Sequence, residues 1–138
     1  MINVRALVGA CAASAGIVVG TAVFVPANAS AASYGGQCGG GYAVIEQANL
    51  IGGTAFLTYS NATGKNCVVT VRDEPGDELF MVARVGRSGD LQSTDVDQGN
   101  YTTYAGPVYV SAAHRCIDWY GQIRGDWNWV GQQTAHCG

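Results

Sequence analysis

Ser111, His114 and Asp118 are the residue types of a nucleophile, a general base and its orienting acid, and they lie close together in the chain. A hydrolase triad needs these groups brought to one point in a fixed relay. Here all three fall within a single short strand-turn-strand stretch, and the G-x-S-x-G turn that presents a nucleophile is absent. They read as surface residues flanking a turn. His136 is the other histidine. No catalytic residue is assigned, and the chain is expected not to be an enzyme. Asp90, Asp95, Asp97 and Asn100 offer oxygen ligands of the kind calcium takes. The run Asp95-Val96-Asp97-Gln98-Gly99-Asn100 nevertheless lacks the third loop ligand and the distal glutamate of an EF-hand. No metal ligand set and no cofactor is expected. Asn61-Ala62-Thr63 and Asn100-Tyr101-Thr102 match the N-glycosylation acceptor pattern, which carries no meaning if the chain is bacterial.

The aromatics are the other source of chemistry. Trp119, Tyr120, Trp127 and Trp129 crowd one part of the sequence, with Tyr101, Tyr104 and Tyr109 nearby. Trp127 and Trp129 alternate around Asn128, so on a strand both project from one face. Exposed, such a pair makes a flat platform for a sugar ring or a polymer, and these four residues are the candidate ligand-binding aromatics. Buried, it is the lid of a small core. Core packing is the expectation for Trp127 and Trp129.

Charge excludes several partners. The chain carries 7 Lys and Arg against 10 Asp and Glu, a net of −3. The basic residues are scattered, whereas nucleic-acid binding needs them clustered. Attachment to an anionic membrane is disfavoured for the same reason. Asp73, Glu74, Asp77 and Glu78 surround Pro75-Gly76 and read as a solvated turn.

The elements that must position these residues begin after residue 29. Residues 1–29 have one basic residue, Arg5, then an uncharged apolar run, then Pro26 and the small residues Ala27, Asn28 and Ala29. A basic start, an apolar middle and an A-x-A exit make a secretory signal peptide, with cleavage placed after Ala29. Val8-Gly9-Ala10-Cys11 has the form of a lipoprotein box, but the apolar run before Cys11 is too short for one. Residues 30–138 then form a single secreted domain. Cys38, Cys67, Cys116 and Cys137 remain, an even number in a short exported chain, which points to two disulfides. Wide spacings and the lack of a C-x-x-C pair argue against zinc. Four cysteines allow three pairings, and the spacing does not choose among them. The expected arrangement is Cys38–Cys137, tying the ends together, and Cys67–Cys116. Each closes a long loop that stabilises by about 4 kcal/mol in the chain-entropy model.

Runs rich in Val, Ile, Thr, Tyr and Phe predict strands at 42–51, 54–60, 66–72, 79–85, 107–112 and 115–124, with a last one at 126–132. Turn chemistry separates them at Asn49–Gly53, Asn61–Lys65, Asp73–Asp77 and Arg87–Asp90. On the 66–72 strand Cys67, Val69 and Val71 share a face. On the 115–124 strand Cys116 shares its face with Asp118 and Tyr120 rather than with the apolar Ile117, Trp119 and Ile123. A bulge near Cys116, a bridge at the sheet edge, or a different pairing would reconcile the two. The fold class is all-β: a small disulfide-stapled antiparallel sandwich or barrel of 6 to 8 strands.

Two long stretches carry a family resemblance. Thr58 to Thr70, reading TYSNATGKNCVVT, and Tyr104 to Val110, reading YAGPVYV, are similar to the spore-associated protein A family of actinomycetes. Arg115-Cys116-Ile117-Asp118-Trp119, Cys38-Gly39-Gly40-Gly41-Tyr42 and the export signal also fit, so the likeness spans the mature chain. It departs at Tyr120-Gly121, where the family is expected to carry Gly-Gly, and along Asp126 to Gln133. The resemblance implies secretion and recovery with spores; the expected location is the extracellular space or spore surface, and the expected partner is a spore or cell-wall polymer. It brings no catalytic residues. The leading expectation is a non-catalytic secreted protein that associates with the spore or cell surface. A carbohydrate- or wall-polymer-binding module is one alternative and an extracellular protease inhibitor another, although no reactive loop bracketed by close cysteines is visible.

Overall fold

The computed structural model describes residues 30–138. The signal expected over residues 1–29, with Cys11, lies outside the described residues. Eight strands follow in order: β1 (Ala43–Leu50), β2 (Gly53–Ser60), β3 (Lys65–Arg72), β4 (Leu79–Arg87), β5 (Asp95–Tyr101), β6 (Tyr104–Ser111), β7 (Ile117–Ile123) and β8 (Trp129–Ala135). They form two four-stranded sheets, ordered β1-β2-β3-β6 and β5-β4-β7-β8. Every neighbouring pair is antiparallel. The all-β, antiparallel expectation holds.

Alternation along the strands sets which side chains meet between the sheets. Ala55 and Leu57 of β2, Val68 of β3, Met81, Ala83 and Val85 of β4, and Ile117, Trp119 and Ile123 of β7 form the main core. Thr70 sits among them and closes a gap by donating its hydroxyl to the Val82 carbonyl at 2.8 Å, a hydrogen bond that joins the sheets. The sheets approach closely at Gly121. A Cβ there would stand 2.5 Å from that of Ala55 and 2.7 Å from Thr70 Oγ1, so any side chain would push the layers apart.

The β2–β3 hairpin shows local sequence choosing geometry. Ser60 pairs with Lys65 across the loop Asn61–Gly64. The Ser60 carbonyl accepts from Thr63 and Gly64 N–H, and Gly64 takes the left-handed φ of 67° that the last loop residue requires.

The central strands of the first sheet, β2 and β3, are buried on both faces. The sheet's outer face carries Phe56, Cys67 and Val69, which form a second, smaller core with Cys38. Ala32, Tyr34 and Tyr42 of the N-terminal segment pack on it, together with Tyr109 and Val71. Tyr34 tilts over Phe56 with centroids 6.0 Å apart, and Tyr42 meets Tyr109 edge-on at 5.7 Å. Tyr109 donates its hydroxyl to the Cys38 carbonyl at 2.9 Å, and Asp73 accepts from Ala32 N–H at 2.7 Å.

This arrangement corrects the expected disulfide pairing. The bonds are Cys38–Cys67 and Cys116–Cys137, not Cys38–Cys137 and Cys67–Cys116. Cys67 shares a face with Val69 and Val71 as expected, but that face looks outward to the N-terminal segment rather than across to β7. Cys38 lies on that segment and is the partner within reach. Cys116 lies just before β7 and Cys137 just after β8. They bond beyond Ile117↔Ala135, the outermost pair of that ladder. The mismatch at Cys116 is thus resolved by the different pairing.

Candidate functional site

The turn between β7 and β8 is organised by one side chain that points inward. Asn128 is buried and donates to the carbonyls of Ile51 and Ile123, each at 2.9 Å, while its own carbonyl oxygen accepts from Ile51 N–H at 3.0 Å. It therefore ties this turn to the β1–β2 turn. With Asn128 facing in, its neighbours stay exposed: Trp127 at 68% and Trp129 at 54%. The expectation that these two tryptophans close the core is overturned. They also do not share a strand, because β8 starts at Trp129 and Trp127 belongs to the turn.

The four candidate aromatics separate into three environments. Trp119 is a core residue, and its indole Nε1 has no acceptor among the described residues. Trp127 stands on the turn. Tyr120 and Trp129 come together as a stacked pair, centroids 5.7 Å apart and planes 23° off parallel. Cross-strand pairing places Arg84 opposite Tyr120 and Gln122 opposite Trp129, so all four side chains lie on the outer face of the second sheet. Tyr120 donates its hydroxyl to Gln122 Oε1, and the Gln122 amide donates to the Arg124 carbonyl at 3.2 Å. Burial, with a smaller push from Asp126, raises the Tyr120 phenol above its ordinary value.

Around this pair runs an open groove of about 440 Å³, bordered by Arg84, Asp118, Tyr120, Trp129, Gln132 and Gln133. Gly131 lets β8 hug β7 here, since a Cβ would stand 2.3 Å from the Trp119 carbonyl oxygen. The ladder then slips between Ile117 and Trp119. At that irregularity Asp118 accepts from Thr134 N–H at 2.9 Å and from Ser88 at 2.6 Å.

Of the remaining polar candidates, Asp118, Asp95, Asp97 and His136 have structural partners. Asp118 serves Ser88 and Thr134, and no hydrogen bond among the described residues links it to His114 or Ser111. His114 sits in the β6–β7 turn at φ 57°. His114 and His136 border a second concavity of about 370 Å³, where His136 Nε2 lies 2.6 Å from Glu46. Asp95 accepts from Tyr109 N–H at 2.9 Å, and Asp97 accepts from Gly106 N–H at 2.7 Å and from the Tyr101 hydroxyl. These two carboxylates stitch β5 to the exposed edge of β6. Asn100 is exposed on β5. No cluster of three or more metal-ligating acids, histidines or cysteines occurs among the described residues.

Asp90 caps the short 3₁₀ turn Leu91–Ser93 and receives the Arg87 guanidinium at 2.7 and 3.1 Å. Hydrogen bonding from Arg87 holds the Asp90 carboxyl below the ordinary aspartate range. A depressed pKa contributes stability that is present above the unfolded value and lost as pH falls through the folded one. Asp90→Asn is expected to flatten the acid limb of the stability profile below about pH 4, read by thermal melts across pH. The effect is small because the pair is exposed.

Spore-associated protein A of Streptomyces coelicolor is 43% identical to this chain over 131 residues, covering 92% of the chain and 82% of that protein. The chain belongs to the spore-associated protein A family. The resemblance carried by Thr58–Thr70 and Tyr104–Val110 is thereby borne out. Those stretches build the β2–β3 hairpin and β6, the covered side of the molecule, rather than the open groove. No family model matches the chain, and no solved structure matches it.

Proposed function

We propose that this member of the spore-associated protein A family is an exported, non-catalytic protein that associates with the spore or cell surface. The observation that carries the reading is the 43% identity to a protein named for spore association, which extends over 92% of the chain. The two disulfides are in keeping with an oxidising, extracellular setting. Of the residues that sequence put forward for catalysis, Asp118 is engaged by Ser88 and Thr134 rather than by His114, which supports a binding role over a chemical one.

The test is fractionation of a sporulating actinomycete culture that expresses the full-length chain with a C-terminal tag. The tagged protein is expected in the medium and in spore washes, with an N-terminus near Ser30. Retention in the cytosol with residues 1–29 intact would refute export. Export with no enrichment on spores or wall fragments would refute surface association.

A further inference from the structure

We propose that the outer face of the second sheet, centred on Tyr120 and Trp129, binds a β-linked polysaccharide. The inference deepens the surface-association reading and rests on it. It starts from an asymmetry. At the centre of the first sheet the outward Phe56, Cys67 and Val69 are covered by the chain's own N-terminal segment, pinned there by Cys38–Cys67, while Val44 and Tyr104 toward its edges stay exposed. Among the described residues no such segment packs on the second sheet as an apolar cluster; Val82 and Gln122 are buried on its outer face, but Phe80, Val96 and Trp129 there remain exposed.

The exposed pair is held in place before any ligand arrives. Tyr120 is fixed by its bond to Gln122, which is fixed in turn by the Arg124 carbonyl. Trp129 stacks on Tyr120 and follows directly after the anchored Asn128. Rigid aromatic area of this kind loses little conformational entropy on binding.

The chemistry around the rings identifies the ligand class. A pyranose with equatorial substituents presents C–H groups on its faces and hydroxyls around its rim. Flat aromatic rings match the faces, and a few convergent polar groups match the rim. Here Arg84, Asp118 and Gln132 border the aromatic pair. Asp118 is engaged through Oδ1 and keeps Oδ2 as an acceptor. Arg84 has no carboxylate partner among the described residues. A β-linked chain is extended and repeats its flat faces, which suits an open groove along a sheet. A nucleic acid would need several clustered cations, and this groove has one.

The test uses the protein purified after expression of the full-length chain and sedimented with chitin, cellulose and purified peptidoglycan. Saturable retention on at least one is expected. Trp129→Ala should weaken it roughly tenfold, about one aromatic stacking contact, with an unchanged thermal midpoint. Should Trp129→Ala fold poorly, Gln132→Ala and Arg84→Ala provide surface variants with the same expected direction. Failure of all three polysaccharides to retain the wild type would overturn the proposal. So would full retention of well-folded Trp129→Ala. Spore fractionation separates this from the broader reading. Protein that coats spores but binds no glycan keeps surface association and overturns the sugar site. Glycan binding without spore enrichment supports the sugar site and overturns surface association.

Discussion

Replacing Asn128 with alanine is expected to lower the unfolding free energy by about 2–4 kcal/mol, since buried polar groups that lose a partner cost about 1–3 kcal/mol each. Three hydrogen bonds disappear together, two to Ile51 and one to the Ile123 carbonyl. Ile51 is itself exposed, so water can restore part of what its N–H and carbonyl lose, which keeps the effect below the sum of three full penalties. Urea titration followed by tryptophan fluorescence reads the change. Trp127→Ala is the natural comparison one residue away. Its side chain is 68% exposed, so it should cost less than about 1 kcal/mol. Equal losses in the two variants would mean that Asn128 does not anchor the turn. Because β8 begins at the next residue, a slack turn should also loosen Trp129 and weaken any ligand that uses it.

That contrast explains why the candidate site was only half legible in the sequence. Alternation of Trp127 and Trp129 about Asn128 predicts one strand face for both, but β8 begins at Trp129 and Trp127 stands on the turn. Which side faces in depends on whether a polar residue can find partners inside, and those partners are 77 residues away at Ile51. No local pattern encodes that meeting. Hydrophobicity alone placed two tryptophans in the core and an asparagine outside, and the hydrogen bonds of Asn128 reverse the order. Tyr120 was named among the aromatics, but its stacking on Trp129 follows from the β7–β8 register, which a short run of sequence does not fix.

The strands themselves were read well where β-branched and aromatic residues dominate. β2, β3 and β4 lie close to their predicted runs, and the Asn61–Gly64 loop is the turn its residues announce. β5 was missed altogether. Its sequence, Asp95-Val96-Asp97-Gln98-Gly99-Asn100-Tyr101, has the low propensity of a loop and drew attention as a calcium candidate. It is a strand because it pairs with β4 over its whole length, from Leu79↔Tyr101 to Val85↔Asp95, and its acids also serve a neighbouring edge: Asp95 and Asp97 accept the N–H groups of Tyr109 and Gly106 on β6. An edge left unpaired invites association with other chains, and side-chain carboxylates close it without adding a strand. The signal that could have revealed β5 is the alternation of Asp95 and Asp97 about Val96, with Tyr101 packing on the core at its end.

Removing the Cys38–Cys67 bond by Cys38→Ala with Cys67→Ala is expected to cost about 2–5 kcal/mol, the range for native bridges in small secreted domains. The bond spans 29 residues, for which chain entropy alone gives about 3.5 kcal/mol. A second effect adds to it. The bridge pins the N-terminal segment over Phe56, Val69 and Tyr109, so its loss should uncover an apolar face and raise binding of a hydrophobic dye before global unfolding. Amide exchange should rise first in residues 30–42, whose cover depends on the bond. The single variant Cys67→Ala tests the pairing directly: Cys38 should become the free thiol, while Cys116 and Cys137 stay protected from alkylation. Non-reduced peptide mapping of the wild type should join Cys38 to Cys67 and Cys116 to Cys137. Release of Cys116 in Cys67→Ala would instead support the pairing across the sheets. The N-terminal segment would then lose its covalent hold on the first sheet, and with it the contrast between a covered face and an open one.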